Sequence, residues 1–365
     1  ANSPCIDAGD PDEEDPDGTR RDMGAFYHPQ SHSGPTWYVS KSGSDSNMGS
    51  SNRPFVTIQN AIHSSSSGDT LLVHDGTYNE YVNFTGKNLH LKSNSGSANT
   101  IISGIDSSSH VLTAENDETI ILEGFTLTNG QGYGIDCYDG CSMIASDIIA
   151  TNNQQAGIHV AHVSSLNLSN STISNSSSHG IYITDSELIM SDSKVTGNIM
   201  ESGNGGGIYS HSSTTTLTNV SIKNNKTTYS NGGGIYSYES NLTVENVDIS
   251  NNEASIDGGG IYLNKSTASI KSSTISNNTA YYSGAGISFD QSQVDIYDCI
   301  IDNNSMPGTQ VREGGGLNAS SSSNVNVYGT LISNNTGRQG SAIFFEDNTN
   351  GKITNSTIVN NWNAG

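Results

Sequence analysis

Gly234-Ile-Tyr-Ser-Tyr-Glu-Ser-Asn-Leu-Thr-Val-Glu-Asn-Val-Asp-Ile-Ser-Asn-Asn252 is one unit of a pattern that runs from residue 134 to residue 360. Each unit starts with a small residue and an aliphatic one, and an asparagine follows eighteen positions after the small residue. The pairs are Gly134-Ile135, Gly157-Ile158, Gly180-Ile181, Gly207-Ile208, Gly234-Ile235, Gly260-Ile261, Gly286-Ile287, Gly316-Leu317 and Ala342-Ile343. The matching asparagines are Asn152, Asn175, Asn198, Asn225, Asn252, Asn278, Asn304, Asn334 and Asn360.

The length of this unit predicts a solenoid. Successive units start 23 to 30 residues apart, which is too short for a domain that buries its own core, so neighbouring units must stack. Apolar residues alternate with polar ones in short runs such as 217–222 and 242–249, which indicates strands rather than helices. Fifteen positions after the small residue the chain is usually branched aliphatic, with Thr172 and Thr357 as departures. We therefore expect about a dozen turns with parallel sheets along the axis.

The repeated asparagine has a structural explanation. Asparagine tolerates the left-handed backbone conformation of a tight corner, and its amide can bond the backbone there. Asparagines stacked at one corner can also form a ladder of amide hydrogen bonds. The alternative is a row of surface amides that binds sugars.

These features together resemble the right-handed parallel β-helix proteins, the superfamily of pectate lyases and related secreted repeat proteins. The resemblance covers residues 36–365, and Gly-Gly-Gly-Ile-Tyr-Ser at 205–210 and 232–237 is its most typical motif. It implies an all-β, right-handed parallel β-helix with an asparagine ladder. A shared fold does not by itself define a function.

Three regions are predicted along the chain. Residues 1–30 resemble a closing segment that follows the last turn in the family, although here they come first. Residues 31–68 form a linker, an opening strand and a capping helix of about ten residues, with Pro54 at its start and Phe55, Ile58 and Ile62 on one face. Residues 69–365 form the β-helix, with the strict repeat from 132. The order of these regions suggests a unit cut from a tandem array, a subunit that associates head to tail, or an arbitrary chain boundary.

Composition narrows the class of protein. The chain has 36 acidic and 14 basic residues, a net charge of −22, which disfavours nucleic acid and anionic membranes as partners. No apolar run is long enough to span a membrane, and no signal peptide is visible at Ala1. Cys137 and Cys141 are close enough for a local disulfide, but two free thiols fit the sequence equally well.

The segment 7–18 is the densest cluster of acidic residues. Its carboxylates alternate with turn-forming residues and can converge on a hard cation, so we predict a structural Ca²⁺ site there. The predicted ligands are Asp10, Asp12, Asp15 and Asp17, with Asp7 and Asp22 as further candidates. The alternative is a solvated acidic linker.

The length variation of the units falls between each asparagine and the next small residue, where solenoids commonly carry their binding loops. The longest such loop contains Arg312 and Glu313, and the preceding one contains Tyr281 and Tyr282. These four residues are candidates for glycan binding, and ordinary loop packing is the alternative.

No catalytic residues are predicted. The acids Asp248, Asp257, Asp290, Asp295 and Asp298 occupy no shared offset, the lysines do not stack, and His159, His162, His179 and His211 lack a repeated metal spacing. We therefore expect a non-catalytic structural, filament-forming or adhesive module, extracellular or at the cell surface, in contact with copies of itself or adjoining units of a longer chain. The alternatives are a polysaccharide lyase, a hydrolase, or a glycan-binding module.

Overall fold

The computed structural model describes residues 5–6, 8–15, 20–23, 32–105, 109–307 and 313–363. The chain winds into a parallel β-solenoid of about 11 turns, close to the predicted dozen. Each full turn contributes strands to three faces, which we number in the order in which the chain reaches them. Face 1 and face 2 belong to one continuous sheet, because some strands run through the bend between them.

Face 1 contains the strands Thr36–Val39, Thr70–Val73, Leu89–Ser93, Thr119–Thr128, Ser142–Thr151, Ser165–Ser169, Glu187–Ser191, Thr214–Thr218, Asn241–Glu245, Thr267–Lys271, Gln293–Tyr297, Asn324–Tyr328 and Asn350–Thr354. Face 2 contains Gly76–Asn79, Thr100–Ser103, the second halves of Thr119–Thr128 and Ser142–Thr151, and then Thr172–Ser174, Lys194–Thr196, Ser221–Lys223, Asp248–Ser250, Thr274–Ser276, Ile300–Asp302, Leu331–Ser333 and Thr357–Val359.

Face 3 contains Val82–Asn83, Leu112–Ala114, Ile135–Cys137, Ile158–Ala161, Ile181–Thr184, Ile208–His211, Ile235–Tyr238, Ile261–Asn264, Ile287–Asp290, Leu317–Ser320 and Ile343–Phe345. Shorter parallel strands between face 2 and face 3 are Ile199–Met200, Lys226–Thr227, Glu253–Ala254, Thr279–Ala280, Thr336–Gly337 and Trp362–Asn363.

The register stacks like residues and so forms one core. Ile235 pairs with Ile208 on one side and Ile261 on the other, and all three are fully buried. In the strand Asn241–Glu245 the burial alternates, with Leu242 and Val244 pointing inward. The main cluster of buried residues extends from Trp37 to Ile332, and each buried aliphatic side chain stabilises the fold by about 1.5–3 kcal/mol. A small second cluster consists of Ala280, Ala285 and Met306.

The N-terminal helix is shorter than predicted. It spans Ile58–Ser64, and Thr57 is its N-cap, accepting a hydrogen bond from the backbone N–H of Asn60. Pro54 and Phe55 lie outside the helix because the N–H of Phe55 donates to Tyr38, at the edge of the first strand. Ile58, Ala61 and Ile62 are buried in the common core.

Amide hydrogen bonds link asparagines of successive turns. The Oδ1 of Asn252 accepts from the backbone N–H of Asn225 at 3.0 Å and from its Nδ2 at 3.1 Å, and the Nδ2 of Asn252 donates to Ile222 O at 2.9 Å. The same contacts run through seven turns, at Asn198, Asn225, Asn252, Asn278, Asn304, Asn335 and Asn361.

Four of the predicted ladder residues do not make these bonds. Asn152, Asn175, Asn334 and Asn360 lie one position earlier, at the corner residue with φ between 53° and 56°. In their coils of the solenoid, the bend from face 3 to face 1 is one residue longer. The bend before Asn334, for example, spans residues 321–323, whereas the corresponding bend one coil earlier spans 291–292. The same offset explains Thr172 and Thr357, because at both positions it is the following isoleucine that pairs with the inward aliphatic residue of the neighbouring turn.

The amide bonds make Asn252 a sensitive position. We expect Asn252→Ala to lower the free energy of unfolding by about 3 kcal/mol, because the backbone N–H of Asn225 loses its acceptor and the carbonyl of Ile222 loses an amide donor inside the solenoid. Urea unfolding measures the change. The matched control is Asn326→Ala on the exterior of face 1, where a single exposed bond to Asp295 is lost. An equal effect of both substitutions would contradict the structural role of the ladder.

Candidate functional site

The Gly-Gly-Gly runs place aromatic residues on the exterior of face 3. Gly205, Gly232 and Gly258 have φ of +72°, +69° and +65°, which a residue with a side chain rarely adopts. A Cβ added at Gly258 would lie 2.5 Å from the carbonyl oxygen of Ile261 and 2.7 Å from the Cβ of Tyr262. Only glycine therefore allows the chain to bend back over the tyrosine that follows.

Outward side chains of face 3, together with His110 and Tyr133 from the bends before its strands, form a column of stacked rings. Neighbouring ring centroids are 4.4 to 5.4 Å apart in the order His110, Tyr133, His159, Tyr182, Tyr209, Tyr236 and Tyr262. Because the rings face one another, their edges rather than their faces point away from the solenoid. Burial raises the pKa of Tyr262, so this phenol stays protonated and can donate a hydrogen bond.

The column ends in a group of acidic and amide side chains. In register with Tyr262, the next two turns carry Ser288 and Asn318. Asp290 ends the strand of Ser288, while Asp257 lies beside Gly258 at the start of the preceding bend. We call Asp257, Asn264, Asp290, Glu313 and Asn318 the acidic site.

Asp257 has the most perturbed carboxyl group of this site. Burial raises its pKa to about 6, against the opposing effect of hydrogen bonds from the backbone and hydroxyl of Ser283. The negative charges of Asp290 and Glu313 raise the pKa further. A carboxyl group with this pKa exchanges its proton near neutral pH, which is the property of a general acid.

The acidic site contains several buried acceptors without a donor. The Oδ1 atoms of Asp257, Asn264, Asp290 and Asn318 have no hydrogen-bond partner in the part of the protein that the structure describes. The Nδ2 of Asn264 donates to the Oδ2 of Asp290 at 2.9 Å, which fixes the orientation of that carboxylate. Buried acceptors of this kind are normally satisfied, so these four atoms require donors that the described residues do not supply.

At the opposite end of the column, two histidines pair with the single carboxylate of Asp136. His159 Nδ1 lies 2.6 Å from Asp136 Oδ1, and His110 Nε2 lies 3.4 Å from Asp136 Oδ2. Burial lowers the pKa of His179 to about 4, and its Nδ1 donates to the carbonyl of Gly205. Over the described ranges, no group of three or more His, Cys, Asp or Glu residues could hold a metal ion.

The sequence model of the right handed beta helix region matches residues 39–187, 87–244, 156–319 and 222–365, which overlap along most of the chain. The chain belongs to the right-handed β-helix family. No curated protein matches it.

Solved structures with this fold are distant from this right-handed β-helix protein. XylC in complex with xylose is 11% identical, with 88% of this chain and 86% of that one covered and a TM-score of 0.49. The A-module of the mannuronan C-5 epimerase AlgE6 of Azotobacter vinelandii is 15% identical, with coverage of 83% and 94% and a TM-score of 0.42. The pectate lyase Pel9A is 14% identical, with coverage of 92% and 81% and a TM-score of 0.37. At these identities the likeness concerns the fold alone.

The glycan-binding candidates of the β-helix protein are only partly brought together. Glu313 belongs to the acidic site, and its backbone N–H donates to Tyr282 O at 3.3 Å. Tyr281 and Tyr282 are 37% and 54% exposed in the bend before Gly284, while Arg312 lies outside the described residues.

The repeat does not predict a pairing of Asp257 with Asp290, because it aligns residues at equal offsets. The two carboxylates occupy different offsets in adjacent turns, and the stacking of these turns places them within electrostatic range of each other. The signal in the sequence is the change from tyrosine at position 262 to Ser288 and Asn318 in the same column.

The predicted calcium ligands lie in the N-terminal segment of the β-helix protein. Asp10 Oδ1 accepts from the backbone N–H of Asp12 at 3.0 Å, and Asp15 Oδ2 accepts from that of Asp22 at 2.7 Å. The segment contacts the solenoid where Asn52 Nδ2 donates to the carboxylate of Glu14. Asp7 and Asp17 lie outside the described residues.

Calcium binding by this segment stays a prediction. We expect Ca²⁺ to raise the melting temperature and EGTA to reverse the increase, because a cation would neutralise neighbouring carboxylates. Differential scanning calorimetry measures the shift, and the double variant Asp10→Asn/Asp12→Asn should abolish it. No difference between Ca²⁺ and EGTA would contradict the prediction.

Cys137 and Cys141, for which the sequence fits either a disulfide or two free thiols, form a disulfide. Cys137 and Cys141 are joined across a short bend, and both are fully buried. Cys299 is a buried free thiol, and burial raises its pKa to about 11.

None of the helical residues described here forms a stretch long and apolar enough to cross a lipid bilayer.

Proposed function

We propose that this β-helix protein is a glycoside hydrolase that cleaves a polysaccharide bound along the exterior of face 3. The observation that carries the proposal is Asp257, whose pKa is raised to about 6 in a site shared with Asp290. Two carboxyl groups in different environments are the usual acid and base of glycosidic-bond hydrolysis.

The ring column supports binding of an extended chain. Its rings follow the solenoid axis with a repeat of about 4.8 Å, the spacing between stacked strands. The phenolic edges of Tyr209, Tyr236 and Tyr262 offer hydrogen bonds along this line, and the unpartnered acceptors of the acidic site take hydroxyl donors where the line ends. A sugar chain lying parallel to the axis would meet both sets of groups.

The proposed reaction assigns one role to each carboxyl group. Asp257 donates its proton to the glycosidic oxygen as the bond between this oxygen and the anomeric carbon breaks. Asp290, oriented by Asn264, accepts a proton from the water that supplies the new hydroxyl group at the anomeric carbon. Proton release by one group and uptake by the other balance the reaction.

The alternatives from the sequence have less support. A lyase acting on uronates needs a cationic or basic group beside the substrate carboxylate, whereas the charges that act most strongly on Asp257 are negative. The sequence favours the structural or adhesive module because no convergent acids are visible in it, and the electrostatic interaction of Asp257 with Asp290 weakens that reason.

We also propose that the protein acts outside the cytoplasm. The disulfide between Cys137 and Cys141 supports this location, because disulfides persist mainly in oxidising compartments. Association with copies of itself or with adjoining units stays a separate prediction from the sequence.

A screen of neutral, cationic and uronic polysaccharides tests the hydrolase proposal. We expect new reducing ends from at least one polymer with the wild-type protein, and none above background with Asp290→Asn. The products should carry no carbon–carbon double bond, which separates hydrolysis from a lyase reaction. Products that contain such a bond, or equal activity of Asp290→Asn, would contradict the proposal.

A further inference from the structure

The C-terminal side of the acidic site carries a second concentration of negative charge. Burial raises the pKa of Glu346, and the negative charges of Glu313 and Asp347 raise it further. The charges of Glu313 and Asp290 act in the same direction on Asp257. Glu313 is thus within electrostatic range of both carboxyl groups, and the charges that act on each of them are negative.

Asn318 adds a buried acceptor in the strand Leu317–Ser320, which follows Glu313 in the chain. Its side chain is 3% exposed, and its Oδ1 has no hydrogen-bond partner among the described residues. Gly314, which follows Glu313, passes directly over it, since a Cβ on this glycine would be 2.8 Å from the Cα of Asn318. The backbone N–H of Glu346 donates to Ala319, the neighbour of Asn318. Glu313, Asn318 and Glu346 therefore belong to one small region of face 3.

This region offers acceptors and negative charge together. A hydroxyl group donates one hydrogen bond and leaves the repulsion between the carboxylates unchanged. A carboxylated sugar increases the repulsion. An ammonium group donates three hydrogen bonds and also neutralises charge, and charge-assisted hydrogen bonds are about twice as strong as neutral ones.

We propose that the acidic site selects glycans with free amino groups, such as polymers of 2-amino-2-deoxy sugars, and that Glu313, Glu346 and the Oδ1 of Asn318 bind the ammonium group. The proposal rests on the proposed hydrolase function and specifies its substrate class. The net charge of −22 also favours association with a polycation at low ionic strength.

Binding to two hexasaccharides tests the inference. One consists of glucosamine and the other of N-acetylglucosamine, so they differ in amine charge and in the acetyl groups. Isothermal titration calorimetry uses Asp257→Asn, which should cleave the ligand too slowly to affect the titration but keeps the three ammonium-binding residues. We expect the glucosamine oligomer to bind at least about tenfold more tightly, with a preference that declines as salt is added.

Three further variants locate the effect. Adding Glu313→Gln or Glu346→Gln to Asp257→Asn should each reduce the preference about tenfold, because each removes a charged acceptor. Glu245→Gln, which removes a carboxylate from the exterior of face 1, should leave it unchanged. Thermal unfolding confirms that the variants are folded.

The possible results separate the two proposals. Equal affinity for both oligomers, tighter binding of a uronic oligomer, or binding of Ca²⁺ alone at these residues would overturn the amino-sugar inference. Cleavage of a neutral glycan without any preference for amino sugars would also overturn the amino-sugar inference, but it would support the hydrolase proposal. A clear preference for glucosamine without cleavage of any polymer would support the inference and contradict the hydrolase.

Discussion

Asp257→Asn is expected to lower the rate of glycosidic-bond cleavage by about 10²–10⁴-fold while the protein stays folded. An amide is almost isosteric with the protonated carboxyl group, so it keeps the contact with Ser283 but cannot supply a proton to the leaving oxygen. Initial rates of reducing-end release on the best polymer of the screen measure the loss.

Asp295→Asn is the matched control for this prediction. It removes one aspartate from the exterior of face 1, on another side of the solenoid, and should leave the rate unchanged. If Asp257→Asn retained more than about a tenth of the wild-type rate, Asp257 would not be the general acid.

Gly258→Ala is expected to lower both stability and activity. The added methyl group requires an alanine at φ +65° and meets the Ile261 carbonyl oxygen at 2.5 Å, so the bend that carries Asp257 and Tyr262 must move. We expect a loss of about 3 kcal/mol or more in the free energy of unfolding, and a fall in kcat of at least about tenfold.

Gly86→Ala separates the steric effect from the backbone effect. Gly86 has φ of +81°, but a Cβ there would meet nothing within 4 Å. Its substitution should therefore lower the free energy of unfolding by only about 1 kcal/mol, because alanine is disfavoured in the left-handed conformation. If both variants lost the same stability and activity, the bend at Gly258 would have no special role in shaping the site.

The architecture was predictable from the sequence because it depends on spacing. The recurrence of Gly-Ile pairs and alternating apolar residues is enough to predict strands that stack in register, as Ile208, Ile235 and Ile261 do. The ladder was predictable only in part. A one-residue insertion in the turn before face 1 moves Asn334 out of the ladder and Asn335 into it, and the repeat frame assigns no position to that insertion.

The acidic site was not predictable in the same way, because it depends on contacts between unequal offsets. Asp257 lies in the segment of variable length before one Gly-Ile pair, while Asp290 ends the strand that follows the next pair. Asp257 and Asp290 come near each other because the chain bends back at Gly258. A residue-by-residue comparison of the turns does not reveal this bend. Glu313 was identified because it stands in the longest loop, but its carboxylate partners were not.

The most direct test of the catalytic assignment is the pH dependence of kcat/KM for polysaccharide cleavage. Asp257 acts in its protonated form, and its pKa is raised to about 6, so the rate should fall as the pH rises through this value. The same raised pKa means that the proton on Asp257 stabilises the fold at low pH, and this contribution is lost through the same range. The account predicts a half-maximal rate near pH 6 on the alkaline side. A rate that is constant or increases from pH 5 to pH 8 would contradict it.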